Sequence, residues 1–194
     1  MTLGEAIYSL RAIRRHRPDP IPGEDITAIL DAAIQAPNGA NLQFWHFLVV
    51  TDEGLRAEFA KLFKEAWWAK RHESGWYWPE ELPDVYKAPM RLAEEIGNSP
   101  ALIFVCTTVK GPEAANAIIP SVQNLLLAAR CLGVGGTITT LHPGVEERVH
   151  ALFGIPEMAQ IVYCVPLGYP QGNFGPVSRK PLDAVSSTNR WGNH

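Results

Sequence analysis

The densest positive cluster in the chain lies near its N-terminus, where Arg11, Arg14, Arg15, His16 and Arg17 fall within one short stretch. Guanidinium forks present paired N–H donors that match phosphate or carboxylate oxygens, so residues of this type suit a compact anion. Leu3, Ala6, Ile7, Leu10 and Ile13 recur at helical spacing. That spacing predicts an amphipathic helix whose end carries Arg11, Arg14 and Arg15 on one side, where cations also meet the negative end of the helix dipole. A solvated, charged helix end is the competing reading. A nucleic-acid surface fits poorly: the formal net charge is -3, and no aromatic residues interleave the cluster.

A second stretch with chemical content is APNGANLQFWHFLVV, residues 36–50. Asn41 and Gln43 each offer donors and acceptors, which suits the edge of a heteroaromatic ring with alternating N–H and C=O groups. Alternatively, Asn38 and Asn41 only close a tight loop through local backbone bonds. His46 has no identifiable carboxylate partner and reads as structural, and His142 before Pro143 reads as the residue that opens a helix. Trp67, Trp68, Trp76, Tyr77 and Trp78 either wall a site for planar molecules or pack against core or partner. No side chain stands out as a catalytic acid, base or nucleophile, and no metal-ligand spacing is present.

The elements that must position these residues follow from periodicity. Ile26, Ile29, Leu30, Ala33 and Ile34 predict a second helix ending near Ala36-Pro37, and 47–50 a short strand. Thr51-Asp52 caps a third helix reaching about Arg71. Residues 73–89, rich in Pro and aromatics, show no sustained period and read as an ordered loop or lid, within an aromatic insertion spanning 66–90. Residues 101–106 suit a buried strand, 114–132 a long central helix, 137–140 a strand or extended loop, 144–153 a helix and 160–167 the last core strand. From 168 to 194 the chain is rich in Gly, Pro and Ser, and such a tail needs a surface to order it. Helices outnumber strands without βαβ alternation, which makes this an α+β chain folded as a single domain over 1–194. A GxGxxG fingerprint between strand and helix is absent. Cys106, Cys131 and Cys164 lie in apolar runs and read as buried free thiols, which fits a reducing cytoplasm. No apolar stretch has the ~20 residues that span a bilayer.

Four stretches, LRAIRRHRPDPI, APNGANLQFWHFLVV, SVQNLLLAARCLGVGGTITT and VPLGYPQGNFGPVSRKPLDAV, resemble in order and spacing the hallmark segments of the nitroreductase-like FMN-dependent oxidoreductases. The resemblance covers nearly the whole chain outside the aromatic segment from Trp67 to Tyr86. It implies a mixed sheet flanked by helices, a long central helix, and a C-terminal arm at 168–194 extending onto the partner subunit of a homodimer. It further implies FMN held between subunits, with NADH or NADPH as electron donor. By position, Arg11, Ala12, Arg14 and Arg179 match the phosphate and ring-edge contacts. Pro37, Asn38, Gly39 and Asn41 match the loop that the second subunit lays on the flavin. Thr140 and Leu141 match the backbone near flavin N5. Three positions depart from the pattern: Leu10 and Ala12 replace polar residues, and Phe44 stands where a Pro is usual.

The activity so implied is hydride transfer from NAD(P)H through flavin to a small planar acceptor such as a nitroaromatic or quinone. The cofactor carries the redox chemistry, so the chain need supply only binding, orientation and electrostatics. Alternatives are a flavin-dependent dehydrogenase or oxygen-using enzyme, or a flavin- or deazaflavin-binding module without turnover.

Overall fold

The apolar run Ala101–Thr107 becomes β2, and every one of its residues is buried. A computed structural model of the chain describes residues 1–141 and 143–193. β2 runs antiparallel to β1 (Trp45–Val50) on one side and to β4 (Gln160–Gly168) on the other, with a bulge between Val105 and Cys106. The short β3 (Gly135–Gly136) pairs with the far side of β4, giving the order β1-β2-β4-β3. The likeness to known proteins implies a mixed sheet, but every pairing between these four strands is antiparallel.

Side chains alternate across a strand, so β2 feeds two cores at once. Ala101, Ile103 and Val105 join α2 (Gly23–Ile34) and α6 (Ile119–Cys131), through Ile26, Ile29, Val122 and Leu125. Leu102, Phe104 and Cys106 face the opposite layer of α3 (Glu53–His72), α4 (Asp84–Glu95) and α7 (Pro143–Phe153), through Phe59, Leu92 and Val149. Phe104 meets Phe59 edge-on at 4.8 Å. Each large side chain removed from water here stabilises the fold by roughly 1.5–3 kcal/mol. The outcome is an α+β sandwich, as the sequence predicts.

Four local expectations need correction. The first helix, α1 (Leu3–Ser9), is opened by a Thr2/Glu5 capping box and stops short of Ile13. Residues 11–17 instead form an extended strap: Ile13 donates to the Gly136 carbonyl at 3.0 Å, and Arg17 to that of Tyr169 at 2.8 Å. Ile13 is buried because it lies on Gly135, where a Cβ would fall 2.6 Å from its Cγ1. The helical period is therefore a coincidence of a tertiary contact. Second, the long central helix is two pieces, α5 (Pro112–Ala117) and α6, because Pro120 in the first turn of α6 cannot donate into a preceding turn. Third, the last residues of the supposed loop are the first half of α4, which tolerates Pro89 in its interior; the carbonyl this proline leaves unbonded is that of Val85, a residue that is itself exposed to water. Fourth, Cys131 is exposed at the end of α6, whereas Cys106 and Cys164 are buried. Burial pushes the Cys106 thiol up to about 11 and the Cys164 thiol higher still. The remark on His142 falls outside the described residues. No helix among the described residues is long and apolar enough to cross a membrane.

Candidate active site

The strap and the segment after β3 converge on one cavity of about 280 Å³. Arg14 and the Thr139–Leu141 segment form one side. Thr139 fixes that segment by trading backbone bonds with Cys164, at 2.9 and 3.0 Å, and by donating its hydroxyl to the same carbonyl at 2.8 Å. The other side is a single face of α3, where Phe63, Ala66, Trp67, Lys70 and Arg71 follow helical spacing. Among the described residues no carboxylate lines it.

The arginine cluster divides by use. Arg15 pairs with Glu95 at 3.0 Å, and Arg17 with Asp19 at 3.5 Å while stacking 5.3 Å from the Tyr169 ring. Arg11 and Arg14 have no acidic partner among the described residues. Arg11 points toward the root of the C-terminal tail, its Nη1 lying 3.9 Å from where a Cβ on Gly175 would sit. At that root Arg130 stacks over Phe174 at 3.9 Å and donates to the Ser9 hydroxyl at 3.0 Å. Ala12, between the two free arginines, is exposed.

His16 anchors the strap. It is 5% exposed, its Nδ1 lies 2.9 Å from the Ser99 hydroxyl oxygen, and a Cβ on Gly168 would collide with its ring. Burial lowers its pKa to about 4, against the weaker opposite pull of the Ile13 and Gly135 backbone. It is therefore a neutral latch at pH 7, and the positive charge at the cavity comes from arginine and lysine.

The loop 37–43 is elsewhere. It leads into β1, on the opposite edge of the sheet from the strap, and strand spacing puts roughly 15–20 Å between those edges. Pro37, Gly39 and Asn41 are exposed and Asn38 partly so. Asn38 does close the loop, its Oδ1 accepting from the Gln43 amide at 2.9 Å. Yet Ala40, Asn41 and Gln43 all adopt positive φ, at 49°, 55° and 48°. Arg179 is exposed too, its guanidinium bonded among the described residues only to the adjacent Ser178 carbonyl. Of the residues singled out from sequence, the chain thus gathers Arg14, Thr140 and Leu141, with Arg11 nearby, and leaves Pro37, Asn38, Gly39, Asn41 and Arg179 apart. His46 is exposed at the start of β1 and far from this cavity. Lys70 and Arg71 were not foreseen, although the spacing from Phe63 to Arg71 marks one face of a helix. Trp67 alone of the five tryptophan and tyrosine residues first singled out borders the cavity.

The Nitroreductase family model matches residues 7–169. The chain belongs to that family. A protein of Archaeoglobus fulgidus with the provisional name NADH dehydrogenase/NAD(P)H nitroreductase is 34% identical over 173 residues, covering 85% of this chain and 83% of its own. The iodotyrosine deiodinase of Thermotoga neapolitana is 27% identical over 82% of this chain and 84% of its own. The fold matches that of an oxidized iodotyrosine deiodinase bound to FMN and 3-iodo-L-tyrosine, with a TM-score of 0.80 at 22% identity, over 98% of this chain and 100% of the other. The strap, the Thr139–Leu141 segment and the loop 37–43 all lie inside the matched span, whereas most of the tail, with Arg179, lies beyond it.

Proposed function

We propose that the protein is an FMN-dependent oxidoreductase that uses NADH or NADPH to reduce a small planar acceptor, and that it works as a homodimer. The observation that carries this reading is the pairing of an unneutralised Arg14 with the bonded Thr139–Leu141 backbone in one cavity, in a chain of the nitroreductase family. These residues fit FMN. Arg11 and Arg14 are cations without a carboxylate partner among the described residues, and Phe63, Trp67 and Leu92 give the cavity apolar walls.

Arg14 would lie along the pyrimidine half of the ring and favour the negative charge that reduction places there. Thr140 and Leu141 would offer backbone groups near N5. Arg11, with Arg179, would hold the phosphate. When bound, FMN would accept hydride from the nicotinamide and pass it to the acceptor; the chain orients both partners and excludes water.

The dimer is proposed from what one chain lacks. The loop 37–43 lies at the opposite sheet edge from Arg14 and does not border this cavity within one chain, so a second chain would be needed to bring such a loop there. The loop 37–43 of a partner, with Pro37, Asn38, Gly39 and Asn41, would then extend the cavity walls. The tail supplies a means of exchange: beyond Gly175 its hydrogen bonds among the described residues reach no further than five positions, and Leu182, Val185 and Trp191 stand exposed. Apolar side chains set on a strand of chain without a core are suited to dock on another subunit.

The purified protein, loaded with FMN under argon, is expected to lose its yellow colour on addition of NADH or NADPH and to regain it with a nitroaromatic or quinone. Failure to retain FMN removes the reading. Retention without bleaching by either nicotinamide leaves a flavin-binding module in its place.

A further inference from the structure

On the α3 side of the cavity, Arg71 is held in a way that a solvated arginine is not. Its guanidinium carbon lies 4.7 Å from the Trp67 ring centre and 4.4 Å from that of Tyr86, so the group is clamped between α3 and α4. Tyr86 is braced in turn by Trp76, 5.2 Å away. The Nε of Arg71 is buried and has no hydrogen-bond partner. That atom is sealed from solvent by the clamp, which fixes the side chain, while Arg71 as a residue lines the cavity and brings its charge there. Lys70 sits beside it on the rim, and neither has an acidic partner among the described residues. Arg14, on the facing wall, is engaged by the flavin in the reading above. Arg71 and Lys70 therefore form a second positive end of the same cavity.

We infer that the acceptor reduced here is a planar aromatic molecule carrying an anionic group, of the aromatic carboxylate type, whose charge is held by Arg71 and Lys70 while its ring lies against Trp67. The inference rests on the flavin site proposed above for its chemistry, and on the cavity's own charges for its substrate class. The physical argument is the sum of the walls. With Arg14 given to the flavin, the remaining end has two cations, the Trp67 face and, among the described residues, no carboxylate: it disfavours a cationic ligand, gives a neutral one only ring contact, and adds charge-assisted bonds for an anion. Clamping by two rings fixes the guanidinium before the ligand arrives, so little side-chain freedom is lost on binding.

The test compares 4-nitrobenzoate with its neutral isostere 4-nitrobenzamide. Binding is read by quenching of tryptophan fluorescence without nicotinamide, and turnover by KM with the FMN-loaded protein. The wild type is expected to bind the carboxylate ~10-fold more tightly or better, with the advantage shrinking as salt rises. Arg71→Gln should weaken 4-nitrobenzoate ~10- to 100-fold and 4-nitrobenzamide less than twofold, while Arg71→Lys recovers part of the loss. Equal affinity of the wild type for the two compounds overturns the inference, whatever the variants do. So does an equal loss for both in Arg71→Gln, the mark of a purely structural clamp. A rise in the KM for NADPH but not NADH, with the two nitro compounds unaffected, also overturns it by giving the cations to the donor's extra phosphate. Anaerobic bleaching is scored separately: its failure alongside selective 4-nitrobenzoate binding strikes the redox reading and leaves the anion site standing.

Discussion

The two edges of the sheet hold their candidate residues by opposite means. At the β3 edge, the strap 11–17 is fixed by distant parts of the chain: Ile13 on Gly135, His16 against Gly168 and Ser99, Arg17 on Tyr169. At the β1 edge, the hydrogen bonds of the loop 37–43 among the described residues are its own, the Asn38–Gln43 bond chief among them, and three of its residues lie in the left-handed region. Left-handed backbone costs a non-glycine residue about 1–2 kcal/mol, and a fold keeps such strain where the shape is used. In the proposed dimer the first edge would be one half of the site, held within its own subunit, and the second the half offered to the partner.

The sharpest way to break this contrast is to remove the tail that would bring subunits together. A chain ending at Gly175 loses Leu182, Val185 and Trp191, each worth roughly 1.5–3 kcal/mol if buried against a partner, and Arg179 with them. Sedimentation should show a monomer, and FMN should be lost on gel filtration. A truncated dimer with full FMN occupancy would mean that the edges do not meet across a subunit interface. A smaller effect belongs to the β3 edge alone. Because His16 is held near pKa 4 against 6.5 for the free side chain, the unfolded chain takes up a proton that the folded one refuses as pH falls between these values. Stability is then fully present above pH 6.5 and declines by about 3 kcal/mol as pH approaches 4. Urea unfolding across this window should be flatter in His16→Asn than in the wild type; parallel curves would show that the latch is not titrating. The smallest effect lies at the β1 edge. Ala40→Gly relieves left-handed strain and should raise stability by up to about 1 kcal/mol, read as an increase in Tm. Destabilisation would mean that the Ala40 methyl makes contacts worth more than the strain.

What could be read from the sequence follows the same division. β2 and β4 appear as short apolar runs because both of their faces are covered, and α2 repeats a helical period because one face packs on the sheet, so the sequence displays all three directly. The strap did not, because Leu10 and Ile13 owe their burial to packing against other segments while sharing a helix-like interval. α4 stayed hidden behind Pro83 and Pro89: one lies at the helix start and the other spoils a bond at an exposed turn, and neither prevents the helix. The arginine cluster was visible as a group, but only the acidic partners of Arg15 and Arg17, supplied by Glu95 and Asp19, separate them from Arg11 and Arg14. The clamp on Arg71 needs Tyr86, fifteen positions away in a segment without a period, and no local pattern announces it.

The strap also sets a clock on the site. β2 has hydrogen-bonded neighbours on both sides and no exposed residue, so its amides should exchange with solvent only when the whole sandwich opens. The amides of Ile13 and Arg17 are protected by single bonds to the Gly136 and Tyr169 carbonyls at the rim. Gln171 adds two more bonds, to the Arg15 and His16 carbonyls. Exchange of the Ile13 and Arg17 amides faster than those of β2 is the expected sign that the strap opens locally, in which case the lifetime of whatever Arg14 grips would follow that opening and not the stability of the sheet beneath it.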